Sequence, residues 1–293
     1  ALSRTQEFSQ TYGAIAEASW QTLIARPEID LVIICTINQN HGAIAHAALQ
    51  AGKHVVVEYP LSLDVAEAEM LLNLAKQQQK LLHVEHIELL GGVHQALKAA
   101  LPKVGNVFYA RYITVKPDHP APMRWSYHQE QFGFPLMGAL SRLHRLTDLF
   151  GAVAGVNGLA KFEPHLTQPE SSSYYKACIC TAQLQFRSGV MAEVTYAKGE
   201  TWWQAERKFE VHGEYGSLIF EGDQGTFWGE QGEEAIAVGG RRGLFAKDTS
   251  MVLDHLLDGK PLYVRPEDSL YTMKVAAAVE QSAVTNGAWC EVC

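Results

Sequence analysis

At 293 residues and 47% hydrophobic composition the chain can bury a large core, and it exceeds the usual size of one domain, which predicts two. A formal net charge of -8 and a pI near 5.8 argue against nucleic acid and against an anionic membrane surface as partners, so an anionic ligand must find local positive charge. No apolar run reaches the roughly 18 residues of a membrane span, no signal peptide opens the chain, and five scattered cysteines, an odd number, suggest reduced thiols in a cytoplasm.

In chain order, a helical pattern carries Phe8, Tyr12 and Ile15 and stops near Gly13, and residues 19–25 read as a short helix. Residues 29–35 form a fully buried strand of the parallel type, 36–41 a turn, and 42–50 an Ala-rich helix. A second buried strand at 54–58 runs into Tyr59-Pro60, a helix spans 65–79, and a third strand spans 80–85. Strands alternating with helices of this length predict a Rossmann-type, doubly wound parallel sheet over residues 1–91. Such a half-fold begins with a strand, a G-x-G-x-x-G turn, its helix and a second strand. None of these precedes Ala1. The expectation is that a first βαβ unit of about 40 residues is missing, and that the chain as given binds a dinucleotide poorly for want of its N–H cradle.

From residue 92 the pattern changes. A strand alternates over 106–115, a helix over 139–150 lies between Pro135-Gly138 and Gly151, and long strands over 174–186 and 190–197 are joined by Arg187-Ser188-Gly189. Shorter strands follow at 208–212 and 217–221, a weaker pair spans 226–238, and helices at 247–258 and 266–285 close the chain. Residues 92–293 therefore predict an α+β domain with one large antiparallel sheet, its last helices free to pack back on the first domain. The 139–150 helix carries Arg142 and Arg145 side by side among leucines. Either an anion or polar cleft meets these guanidinia, or their stems pack while their heads reach solvent or Asp148.

The blocks Thr36-x-Asn38-x-x-His41, Gly52-Lys53-His54-Val55 and Glu58-x-Pro60 resemble the glucose-fructose oxidoreductase and myo-inositol dehydrogenase superfamily, a resemblance that covers nearly the whole chain. Members usually carry Glu-Lys-Pro where this chain has Glu58-Tyr59-Pro60, and an Asp and a His at positions that fall near Met137 and Ser141. Without those groups a sugar-alcohol dehydrogenation lacks its base. Within the superfamily, Val57-Glu-Tyr-Pro60, the run 82–90, Phe132-Gly-Phe-Pro135, Ser141-Arg142 and Arg241-Arg-Gly-Leu-Phe245 are similar to the biliverdin reductases, the cyanobacterial form above all.

That resemblance implies hydride transfer from NADPH or NADH to the central methine carbon of biliverdin, with Arg142 as proton donor or electrostatic stabiliser. Two propionates would then need Arg145, Arg124, Arg241 or Arg242, and a planar tetrapyrrole would lie against Trp125, Tyr127, Phe132 and Phe134. Glu58 and Tyr59, ending a strand at the carboxyl edge, are expected in catalysis and cofactor contact, Thr36, Ile37, Asn38 and His41 at the cofactor, and Glu85 at pyrrole N–H groups. The alternative for Glu85, Glu88, His83 and His86 is a solvated face, and Trp202-Trp203 reads as core or edge packing. No metal site is expected, although Cys290-x-x-Cys293 has metal or redox spacing. The sheet offers a surface for a homodimer. Open alternatives are a related reductase of sugar, inositol or dihydrodiol substrates and a non-catalytic tetrapyrrole or nucleotide binder.

Overall fold

The computed structural model describes residues 2–165 and 173–292. Helix α1 (Leu2–Tyr12) and the short α2 (Trp20–Ile24), capped by Ser19, precede β1 (Leu31–Ile34), α3 (Asn38–Gln50), β2 (His54–Glu58), α4 (Val65–Gln78) and β3 (Leu82–Glu85). The strands pair in parallel in that order, which sets Glu58 beside Glu85 at the carboxyl edge. Val55, Val57, Leu49 and Leu71 are fully buried, as helix-covered parallel strands require. β1 departs from the fully buried strand that its apolar run predicts. Val32 and Ile34 face the core but Ile33 is 49% exposed, because β1 is the sheet's edge among the described residues.

The chain continues through α5 (Ile87–Leu90), α6 (Gly92–Ala100), β4 (Val107–Pro117), α7 (Gln129–Phe132), α8 (Pro135–Gly138), α9 (Ser141–Phe150), β5 (Val153–Pro164), β6 (Tyr175–Phe186) and β7 (Met191–Gly199). Then come β8 (Glu206–Gly213), β9 (Gly216–Glu221), β10 (Gln224–Gly229), β11 (Gly232–Ile236), α10 (Leu244–Asp258), α11 (Pro266–Val284) and β12 (Cys290–Glu291). Among the described residues nine strands form one sheet in the order β11-β10-β9-β8-β4-β7-β6-β5-β12. It is mixed rather than wholly antiparallel, since β4 pairs with β7 in parallel. The long excursion through α7, α8, α9, β5 and β6 supplies the crossover that a parallel pair needs.

β5 is absent from the sequence reading, and its glycines explain both the omission and the packing. Gly155 and Gly158 weaken the strand signal, yet a Cβ at Gly158 would lie 2.7 Å from Val279 Cγ1, so the bare backbone is what lets α11 lie against the sheet. The predicted 139–150 helix begins instead at Ser141, after a break at Ala139 and Leu140, and it buries Leu143 and Leu146 fully. α11 also packs on α4, β3 and α9, and Lys274 Nζ reaches Glu69 Oε1 at 2.7 Å, so the last helix bridges both sheets.

Gly92 opens α6 directly beneath the backbone of Gly239, and a methyl group there would overlap the Gly239 carbonyl oxygen. This approach seats the segment that carries Arg241. Gly92→Ala should lower unfolding stability by about 1–3 kcal/mol in urea titration, and parental stability would show that the two backbones can part freely.

Candidate active site

The carboxyl edge of the parallel sheet collects Glu58 and Tyr59 after β2 and Glu85 and His86 after β3. The turn after β1 is tied to them. His41 Nδ1 lies 2.9 Å from the Pro60 carbonyl oxygen and its Nε2 3.2 Å from that of Thr36, while Asn38 Nδ2 donates to the Phe132 carbonyl at 3.0 Å. Ile37 caps α3 with no side-chain hydrogen bond; the Asn40 N–H donates to the Ile37 carbonyl at 3.0 Å, and the other N–H groups of the first turn can meet a ligand. That uncapped turn at a strand's carboxyl edge fits a polar part of a dinucleotide.

Across the cleft, Tyr59 donates its O–H to Ser141 Oγ at 3.1 Å, and Arg142 Nη1 donates to the same oxygen at 2.8 Å. One hydroxyl thereby joins the end of β2 to the arginine. The Arg142 guanidinium lies 5.3 Å from the centre of the Tyr196 ring, and its buried Nε has no hydrogen-bond partner among the described residues. Burial opposes its charge, but Tyr112, Tyr59, Tyr196 and Glu88 outweigh that and hold its pKa above the ordinary arginine value. Burial likewise raises the Tyr59 phenol, against the pull of Arg142, so Tyr59 keeps its proton.

Arg145 behaves differently. It is 1% exposed, and its Nη2 lies 2.6 Å from Glu88 Oε2. The same carboxylate holds Arg241 Nη2 at 2.5 Å and Arg207 Nη2 at 3.5 Å. The carboxylate that Arg145 was expected to take from a ligand is thus Glu88 of its own chain, because a guanidinium without water needs an internal counter-charge. Arg241 is half exposed beside it. Burial raises the Glu88 carboxyl, but Arg145, Arg241, Arg207 and Arg142 prevail and hold its pKa below the usual value.

Behind Tyr59 lie two histidines that burial keeps neutral. His86 stacks on Tyr59 with ring centres 5.0 Å apart, meets His144 edge-on at 4.0 Å, and places Nε2 2.9 Å from Ser269 Oγ of α11. Burial, then His144 and His83, depress His86 well below the ordinary histidine value, and burial lowers His144 to about 4. His83 Nε2 and the Tyr263 O–H both reach Asp248 Oδ1, at 2.8 and 2.7 Å. Glu85 is buried, and burial, then Asp248 and Glu58, push its carboxyl up to about 8. At neutral pH it is an O–H donor, not a solvated anion.

The aromatic residues divide. Trp125 and Phe132 border a cavity of about 240 Å³ with Arg124 and Tyr196. Phe132 is an interior wall, its ring covered by the Lys198 ammonium 3.6 Å from its centre. Phe134 is not brought to Arg142. It lines a separate crevice with Phe162, Glu280 and Val284. Trp203 does not pack inside but is 85% exposed and stacked on His119. Two contributors escaped the sequence reading, Arg207 and Lys198. For Lys198 a signal existed, because Ala192, Val194, Tyr196 and Lys198 alternate along β7 on its inward face. Among the described residues no group of three or more His, Cys, Asp or Glu side chains could hold a metal, and no helix is long and apolar enough to cross a membrane. Cys293 lies outside those residues.

Two family models match the sequence: an oxidoreductase family with an NAD-binding Rossmann fold over residues 1–86, and the C-terminal alpha/beta domain of that oxidoreductase family over residues 100–292. Biliverdin reductase A of Mus musculus is 27% identical over 270 residues, covering 91% of this chain and 80% of the mouse protein. The human biliverdin reductase A is 31% identical over 166 residues, 57% of this chain and 51% of its own length. The crystal structure of biliverdin reductase in complex with biliverdin and NADP+ from Synechocystis sp. PCC 6803 is 54% identical, superposes with a TM-score of 0.93, and matches across 97% of this chain and 89% of that one.

Glu88→Gln would leave Arg145 buried without its counter-charge and should cost roughly 3 kcal/mol of stability at neutral pH. Because folding lowers the Glu88 pKa, the parent's advantage is present above the ordinary glutamate range and should fade on acidification below it; equal stability in denaturant would contradict the ion-pair account. Glu85 has the opposite sign. Its folded pKa is raised, so its contribution is fully present below the unfolded value and lost as pH rises towards about 8. Thermal melts of Glu85→Gln should therefore gain on the parent across that window and level off above it. A constant difference would mean that Glu85 ionises normally.

Proposed function

The chain belongs to the oxidoreductase family with an NAD-binding Rossmann fold and a C-terminal alpha/beta domain, and from that premise we propose that it is a biliverdin reductase using NADPH. The observation that carries the reading is the 54% identity, across nearly the whole chain, to a structure that holds biliverdin and NADP+. The geometry supports it with a permanent cation, Arg142, facing the carboxyl edge of the cofactor domain.

When bound, NADPH would supply the hydride for the central methine carbon of biliverdin, and one proton added at a pyrrole nitrogen would complete bilirubin. Thr36, Ile37, Asn38, His41 and Glu58 would hold the coenzyme at the edge where β1 and β2 end. Arg142 stabilises the negative charge that develops on the conjugated system, an interaction stronger in the transition state than in the ground state. Its raised pKa makes it a poor proton donor, so it orients the pyrrole nitrogen and a water that delivers the proton. Tyr59, through Ser141, fixes the direction of that guanidinium. Glu85, protonated, offers an O–H to the tetrapyrrole and adds no second negative charge to the cleft. Arg124, exposed, and Arg241, half exposed although paired with Glu88, would meet the propionates, with Trp125 as a flat wall.

We place a homodimer interface on the outer face of the nine-stranded sheet, where Leu159, Thr181 and Thr195 lie side by side and Leu159 is 58% exposed. Cys35, Cys178, Cys180 and Cys290 are free thiols, which suits the cytoplasm.

The test is an absorbance assay of the full-length protein with biliverdin and NADPH. The biliverdin band should decay as a bilirubin band grows, and Arg142→Ala should lower kcat by roughly 100-fold or more, with Arg142→Lys between the two. Undiminished turnover by Arg142→Ala would move the stabilising role elsewhere, and turnover of inositol or a sugar in place of biliverdin would overturn the reading.

A further inference from the structure

Lys198 is 3% exposed, yet among the described residues it forms no ion pair. Its ammonium has one hydrogen bond, donated to the Ser126 carbonyl, and otherwise faces ring centres of Phe132 at 3.6 Å, Tyr127 at 4.8 Å, Tyr175 at 5.4 Å and Tyr196 at 5.7 Å. Aromatic faces offset part of the cost of burying a cation, but a carboxylate would offset more. The carboxylate that lines the same cavity, Asp118, already accepts the Tyr127 O–H at 2.5 Å. Beside the ammonium lies the cavity of about 240 Å³, walled by Trp125, Phe132 and Tyr196, with Lys116 and Arg124 at its exposed rim. Three cations and one engaged carboxylate border it, on a protein of formal charge -8. Tyr196 is shared with the active site, since Arg142 lies over the same ring at 5.3 Å.

We propose that this cavity receives one carboxylate arm of the substrate, with Lys198 as the buried counter-charge and Arg124 closing the rim. The inference rests on the biliverdin reading and names a carboxylate subsite within it. An apolar wall around a lone ammonium accepts a carboxylate on a flexible arm and rejects its ester, which brings no charge and leaves the ammonium unpaired.

The subsite has a proton signature. Burial holds the Lys198 amine down to about 7, with Cys178 of β6, Lys116 and Asp118 at the end of β4, and Arg124 of the following turn as the charged or titratable groups around it. Tyr127, Tyr175 and Tyr196 face it as neutral phenols, burial raising each. An incoming carboxylate favours the ammonium form, so binding above neutrality takes up a proton and weakens as pH rises.

The experiment compares biliverdin with its dimethyl ester as substrates for the full-length protein and for Lys198→Met, from about pH 6 to about pH 9. The parent should prefer the diacid by roughly tenfold in KM, with kcat little changed and the preference shrinking above about pH 7. Lys198→Met, which replaces a buried charge with an apolar chain of similar length, should fold and should lose most of both the preference and its pH dependence. Arg124→Gln, at the exposed rim, should show a smaller loss of the same preference and serves if the first variant does not fold. A parental preference and pH profile in both variants would overturn the subsite, while a parent that turns over neither bilin would overturn the underlying reading with it.

Discussion

One carboxylate sets the geometry of the cleft. Glu88, just past β3, gathers Arg145 of α9, Arg207 of β8 and Arg241 of the segment leading to α10. These come from distant parts of the chain, and each guanidinium limits where the others can go. Because Arg145 is locked on Glu88 and over Tyr112, the rotation of α9 about its axis is fixed. Arg142, three residues earlier, is left outside the ion pairs of the described residues and turned towards Tyr59. The apparent excess of arginines in an apolar helix thus separates into one that holds the structure and one that is free for chemistry.

Around that free cation, burial silences the groups that could compete with it. His86 and His144 are neutral, Tyr59 keeps its phenolic proton, and Glu85 is protonated at neutral pH. A charge that develops on a planar acceptor would therefore meet Arg142 with little screening from water and none from a neighbouring anion in direct contact with it. That arrangement depends on helices from the end of the chain, since Ser269 of α11 holds His86 and Asp248 of α10 holds His83 and Tyr263. The packing of α10 and α11 against the first sheet is for that reason part of the site's electrostatics.

Much of this was legible in the residues. Period and punctuation located the three parallel strands and their helices, the strand pair about Arg187-Ser188-Gly189 and both closing helices. The arginine helix stood out because charge among leucines demands an explanation. What escaped reading depended on partners distant in sequence. β5 was hidden by Gly155 and Gly158, whose value lies in contacts with Trp289 and Val279. Arg145 and Glu88 are 57 residues apart, so nothing local says that one neutralises the other. Phe134 sits two residues from Phe132 but faces another crevice, because the chain turns at Gly133 with φ of 84°. Lys198 obeyed the strand's alternation, and the alternation alone would have placed it inside.

The most direct measurement is the fate of the transferred hydrogen. Full-length protein given biliverdin and NADPH deuterated at the transferable position of the nicotinamide should yield bilirubin carrying deuterium at its central methylene, read by mass spectrometry and NMR. Bilirubin without that label, or label at any other carbon, would contradict hydride transfer to the methine beside Arg142.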